Sequence, residues 1–226
     1  MPIINELLNE IKDVLGTAIT PSFNVYSAAD DLFEAYIFSI IIQAARAEGA
    51  IVTYQCINGG TPNPFIFRTS PGYIGSNRRN YGYAEINFSG YPLLEAHVGI
   101  RVAGQSNVLH ECDVSVLLKD EADLCRSGPE RVAPRSSKVI IAVEAKHYTV
   151  GLPLHLGRAF LGLARDLSVS DLYFITNRDA NFIEKLLSHK KQLWEHNITP
   201  SEINSVERLR YHFQTAFKNY KAKTGS

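Results

Sequence analysis

The sequence predicts an α/β fold, a central mixed sheet flanked by helices, and three stretches carry that prediction. Val139–Tyr148 reads Val-Ile-Ile-Ala-Val-Glu-Ala-Lys-His-Tyr, an apolar, β-branched run with the signature of a buried strand. Val108–Leu118 reads Val-Leu-His-Glu-Cys-Asp-Val-Ser-Val-Leu-Leu, a second strand with Asp113 between apolar neighbours. Residues 152–167 follow with a helical spacing of Leu156, Ala159, Phe160, Leu163 and Leu167, and Asp171–Thr176 is a further short apolar strand. Strand, helix, strand in that order implies a parallel pair joined by a right-handed crossover.

The remaining elements can be taken in order. Residues 2–16 place Ile3, Ile4, Leu7, Leu8, Ile11 and Leu15 at helical spacing, with Gly16 as the stop. Ser27 and Asp30 read as a capping box, N-cap and N3, for a helix running to Glu48 and ended by Gly49. Its apolar stripe is broad enough for a buried helix. Ile51–Ile57 reads as a strand. Asn58–Asn80, rich in Gly, Pro, Asn and Ser, reads as a long loop. Leu93–Val102 alternates Leu94, Ala96, Val98, Ile100 and Val102 with Glu95, His97 and Arg101, the pattern of a half-buried strand with its polar residues outward. A turn at Gly104–Asn107 makes it a hairpin with the Asp113 strand. Lys119–Ser137 is polar and reads as an excursion at the sheet edge. Asn181–His196 and Pro200–Tyr220 read as two more helices, so the chain is expected to be a single domain with its core at 27–178 and a helical extension over 179–226.

Composition narrows the class. The 226 residues are long enough for one good core, and 45% hydrophobic with 20% charged residues is ordinary for a globular protein. No run approaches the ~18 apolar residues of a membrane span. The start, Met-Pro-Ile-Ile-Asn-Glu, lacks the basic and apolar regions of a secretory signal. Cys56, Cys112 and Cys125 are scattered, with no Cys-x-x-Cys, which indicates neither a zinc site nor a disulfide framework and suits a reducing cytoplasm. Basic and acidic residues balance at 23 each, which counts against a passive nucleic-acid binder but not against a nuclease.

The chemistry-bearing residues lie on the two strands. Glu144 and Lys146 are two apart, so they project from one face of a strand that otherwise looks like core. Buried charges are costly unless paired or bound to metal. If the strands pair, Asp113 and Glu144 converge on one site with Lys146 beside them, and hard divalent cations take such oxygen ligands.

An Asp on one strand followed by Glu-x-Lys on the next resembles the PD-(D/E)xK nuclease superfamily. The likeness covers roughly residues 30–176 as an order of elements, and Cys112 stands where the family name expects Pro. The resemblance implies a restriction-endonuclease-like αβββαβ core with C-terminal helices beyond it. It also implies Mg²⁺-dependent hydrolysis of DNA, with Mn²⁺ able to substitute. Asp113 and Glu144 would hold the metal, the Ala145 carbonyl would be a third ligand, and Lys146 would orient or deprotonate the attacking water. Glu34, on the first core helix, matches the Glu that completes the acidic cluster in many members; an exposed helix Glu is the alternative. Family habit further suggests double-stranded DNA as substrate, a homodimer or a prokaryotic defence-system partner, and a cytoplasmic location. The rival readings are an RNA nuclease or partner-activated nuclease of the same fold, and a non-catalytic nucleic-acid-binding module.

Candidate nucleic-acid contacts are Arg68, Arg78 and Arg79, set among Phe65, Phe67, Tyr73 and Tyr81. Arg135 and Lys138 are further candidates, within a basic cluster that includes Arg126 and Arg131; Lys190 and Lys191 form another. Aromatics in this loop also suit a segment pinned to the surface by its own rings. Glu111 shares a strand face with Asp113 and is a weaker addition to the acidic cluster. His110, His147 and His155 lack metal-ligand spacing, and no nucleophilic triad or phosphate-binding glycine loop is present.

Overall fold

The computed structural model describes residues 2–128, 132–190 and 193–224. The chain runs α1 (Pro2–Leu15), α2 (Ala29–Ala47), β1 (Ile51–Cys56), β2 (Gly82–Asn87), β3 (Leu94–Ala103), β4 (Leu109–Leu118) and α3 (Lys119–Ser127). It continues with β5 (Val139–Lys146), α4 (Leu154–Leu167), β6 (Asp171–Thr176), α5 (Asn181–His189), β7 (Leu193–Glu195) and α6 (Ile203–Thr224). The strands form one 7-stranded sheet in sequence order. It is antiparallel from β1 to β5 and parallel from β5 to β7. The fold is therefore α/β with a mixed sheet, as the strand patterns predict.

Helices cover both faces. On one, α1, α2 and α6 pack over Ala96, Val98, Val114, Val116, Ile141, Val143 and Ala145. On the other, α3, α4 and α5 pack over Ile100, Cys112, Ala142 and Phe174. Burial on both faces is why β4, β5 and β6 are near-continuous apolar runs. Helix α2 is apolar nearly all round and buries Leu32, Phe33, Tyr36, Ile37, Ile40 and Ile41 among the sheet, α1 and α6. Gly16 and Gly49, at φ +83° and +88°, stop α1 and α2 where a side chain would be strained.

Several expectations need correction. Ser27 is not the cap of α2: its Oγ accepts the Asn24 N–H at 3.0 Å in a preceding turn, and Ala28 takes the N-cap position. The Ala159 side chain on α4 is exposed rather than inward. Strand β2 falls just after the expected loop, and its short Gly-Tyr-Ala-Glu-Ile-Asn run carries little apolar signal. Lys119–Ser127 is a helix, not part of an edge excursion, and only Glu121, Ala122 and Cys125 are buried on it. The expected helix over 181–196 ends at His189, and Trp194 lies in β7, a seventh strand of the main sheet.

The largest correction concerns β3. Glu95 and His97 are 0% and 2% exposed, not outward. They lie beneath α3, where Glu95 accepts from Arg126 Nη1 at 2.8 Å and Nη2 at 2.6 Å, from His97 Nε2 at 2.9 Å and from Lys119 Nζ at 3.2 Å. Burial alone would raise the Glu95 carboxyl, but the hydrogen bonds from Arg126 and His97 win and hold it down to about 2. Alternation reads polar as outward; here the polar face is buried because its counter-charges arrive on the next helix.

A candidate metal centre

Strands β4 and β5 pair from Leu117↔Val139 to Val114↔Val143, and there the ladder ends. Asp113 and Glu144 are the next residues on each strand, so they flank the fork where the strands part. Opposite Asp113 on β3 lies Gly99, between the pairs Val98↔Val114 and Ile100↔Cys112. Val98 and Val114 belong to one core, and Ile100 and Cys112 to the other, although residues two apart normally share a face. The hairpin thus twists through its own plane at Gly99 and Asp113. Gly99 has φ +62°, and a Cβ there would stand 3.1 Å from the Cβ of Arg68, so glycine permits the twist.

The carboxylate of Asp113 is nearly buried and caps the end of the ladder. Its Oδ2 accepts the Ala145 N–H at 2.7 Å and the Lys146 Nζ at 3.2 Å. Lys146 Nζ also stands 2.7 Å from Glu144 Oε1. The expected trio is brought together, with Lys146 between the two carboxylates. Asp113 Oδ1 accepts no hydrogen bond among the described residues. Asn177 N–H bonds the Lys146 carbonyl on the β6 side. Successive strand carbonyls alternate, so that of Ala145 faces the fork.

Glu34 comes to the same place from α2. Burial first, then the charge of Asp113, push its carboxyl up to about 9, with Asp31 and Glu111 adding and Lys146 opposing. Glu144 and Glu111 are raised as well, by burial and then by Asp113. Burial disfavours the Lys146 ammonium, but Asp113 and Glu144 outweigh it and hold its pKa above the ordinary lysine value. Among the described residues, Glu34, Glu111, Asp113 and Glu144 therefore crowd one corner, with Lys146 in it and Arg101 acting on Glu111 from β3. His147 lies at the rim, its Nδ1 3.8 Å from Asp30 Oδ1 and its ring against Phe33. Asn177 was not foreseen. It ties down the strand end beyond Lys146 by accepting the Tyr148 N–H at 2.8 Å and donating to the Tyr148 carbonyl at 3.0 Å. Its only sequence signal is its place just past a predicted parallel strand.

Among the described residues, no three His, Cys, Asp or Glu side chains stand arranged as ligands around one point. The donor chemistry nevertheless suits a hard cation. Asp113 keeps one oxygen free, the Ala145 carbonyl faces the same fork, and the crowding that raises Glu34 and Glu144 is relieved by added positive charge.

The candidate nucleic-acid contacts do not gather at this corner. Arg68 is 4% exposed, donates to the carbonyls of Tyr73 and Ile74, and lies 3.9 Å over the ring of Tyr81. Phe65 and Phe67 are buried with it, so the loop is pinned by its own rings. Arg78 and Arg79 are exposed. Arg135 is exposed but clamped to Glu121 through Nε at 2.9 Å and Nη2 at 2.5 Å. Lys138 precedes β5, so it stands at the opposite end of that strand from Lys146, roughly 25 Å away at strand rise. Arg126 is committed to Glu95, and Arg131 and Lys191 lie outside the described residues. No helix among the described residues is long and apolar enough to cross a membrane. Compared with protein-family models, with curated proteins and with solved structures, the chain finds no match.

Proposed function

We propose that this chain is a divalent-metal-dependent nuclease, and that DNA is its substrate. The observation that carries the reading is the fork itself: Asp113, Glu144 and Lys146 meet where β4 and β5 part, and Glu34 on α2 feels the charges of Asp113 and Lys146. The elements after α2 and the β1-β2 pair, namely β3, β4 and, beyond α3, β5, then α4 and β6 with β6 parallel to β5, support the same reading. In it, Asp113, Glu144 and the Ala145 carbonyl hold Mg²⁺ or Mn²⁺, with Glu34 as a further ligand. A bound divalent cation lowers the pKa of water and stabilises attacking and leaving oxygens at phosphorus. Lys146, kept as an ammonium by its two carboxylates, orients the attacking water and steadies charge on the phosphoryl oxygens. Asn177 fixes the strand end and with it the direction of Lys146. The test is incubation of the purified chain with plasmid DNA, linear duplex, single-stranded DNA and RNA in Mg²⁺, Mn²⁺ or EDTA. Cleavage of DNA that needs metal and disappears in Glu144→Gln supports the reading. Cleavage of RNA alone moves the substrate, and no cleavage of any nucleic acid in either metal overturns it.

A further inference from the structure

β1 forms one margin of the sheet, and part of its outer edge is open. The N–H of Ile57 bonds Tyr81 O on the β2 side. Strand alternation then turns the N–H and C=O groups of Val52, Tyr54 and Cys56 outward. Those of Cys56 are taken by the following turn, through Gly60 O at 2.9 Å and the Gly59 N–H at 2.8 Å. Those of Val52 and Tyr54 bond nothing among the described residues.

Natural edge strands are guarded by charge, proline, bulges or brevity. β1 has none of these: Ile-Val-Thr-Tyr-Gln-Cys pairs with β2 along all 6 residues without a bulge, carries no charge or proline, and exposes Ile51 and Thr53. The opposite margin, β7, is only 3 residues long. We propose that two copies of this chain pair antiparallel along β1, about a two-fold axis between their Thr53 residues, so that their sheets run on as one. In that register Val52 of each copy lies opposite Tyr54 of the other. Each such pair exchanges both N–H···O bonds, and every open group is satisfied. Thr53 faces Thr53, a favourable cross-strand pair, and no like charges meet because the strand has none. The occupant is a second copy because these open groups complement themselves under a two-fold rotation.

Sedimentation of the full chain tests this. The wild type is expected to dimerise with Kd of about 10 µM or tighter, and Thr53→Lys to weaken association about tenfold or more by setting two ammonium groups face to face. Mixing Thr53→Lys with Thr53→Glu is expected to restore a dimer. Thr53→Cys gives an independent reading, since Cα atoms of such a pair lie about 4.5 Å apart and suit a disulfide. The native cysteines are buried, so an oxidised dimer reports this contact. A wild type that stays monomeric at about 100 µM, or a dimer that survives Thr53→Lys while Thr53→Cys fails to cross-link, overturns the proposal. Should Thr53→Lys not fold, the cross-link alone decides.

Discussion

Asp113 accepts the backbone N–H of Ala145 at 2.7 Å across the point where β4 and β5 part. The ladder needs a partner for that N–H, and the side chain supplies it. The same oxygen meets Lys146, so the other is left to face the fork. One residue thus ends the strand pairing and presents an acceptor where the carboxylates gather. A binding site at a strand divergence costs the sheet little, because the pairing stops there in any case.

Metal binding should therefore register as stability. With Mg²⁺ or Ca²⁺ at about 100 times its dissociation constant, a one-site ligand adds about 2.7 kcal/mol. The melting temperature is expected to rise in a saturable way with cation and to stay flat in Asp113→Asn. An equal rise in both proteins would place the cation elsewhere.

Glu34 gives a pH signature. The unfolded chain releases its proton near the ordinary value of about 4.3, while the fold holds it to about 9. Between those values the native state binds more protons, so this group's contribution to stability falls as pH rises and levels off above the folded pKa. Glu34→Gln removes that slope. Thermal melts between pH 5 and pH 9, a window of about 4 units, are expected to decline more steeply for wild type than for the variant. Parallel curves would return Glu34 to a solvated helix face.

The buried pair under α3 makes a stability prediction away from the site. Arg126→Met leaves Glu95, 0% exposed, without its bidentate partner. Breaking such a pair costs about 3–5 kcal/mol. Urea denaturation is expected to show a loss of that order, partly recovered in Glu95→Gln with Arg126→Met. Loss below about 1 kcal/mol would mean that His97 and Lys119 suffice to hold the Glu95 charge.

What could be read in the sequence follows from how local each signal is. Asp113 and the Glu144–Lys146 pair are legible because they interrupt apolar runs, and the hairpin and the parallel pair follow from turns and spacing. The fork is not legible, since it depends on where pairing between β4 and β5 stops. Nor is the burial of Glu95, whose cationic partners Lys119 and Arg126 lie 24 and 31 residues away on a helix with almost no apolar stripe. Arg68 misleads for a related reason: an arginine among aromatics looks like a nucleic-acid contact until the rings are seen to fold inward over it. Glu34 is legible only by its place on the helix, because its neighbours at the site come from strands far along the chain.

Lys146 separates catalysis from structure. It stands 3.2 Å from Asp113 and 2.7 Å from Glu144, and its side chain is 26% exposed. If it only neutralises the carboxylates, Lys146→Ala leaves repelling charges and the fold bears the cost. The geometry limits that cost, since Asp113 keeps the Ala145 N–H and Glu144 is 23% exposed to water. A loss of about 1–2 kcal/mol is expected, offset when a cation binds. If Lys146 acts on the attacking water or the phosphoryl oxygens, cleavage falls by about 10²-fold or more, the scale of one positioned group. DNA affinity measured in Ca²⁺ should stay near wild type. The melting temperature, the Ca²⁺-supported affinity and the cleavage rate are to be measured on one Lys146→Ala preparation. A large drop in cleavage with small changes in the other two assigns Lys146 to the chemistry. A protein that melts far earlier yet cleaves normally when folded assigns it to the structure and removes it from the mechanism.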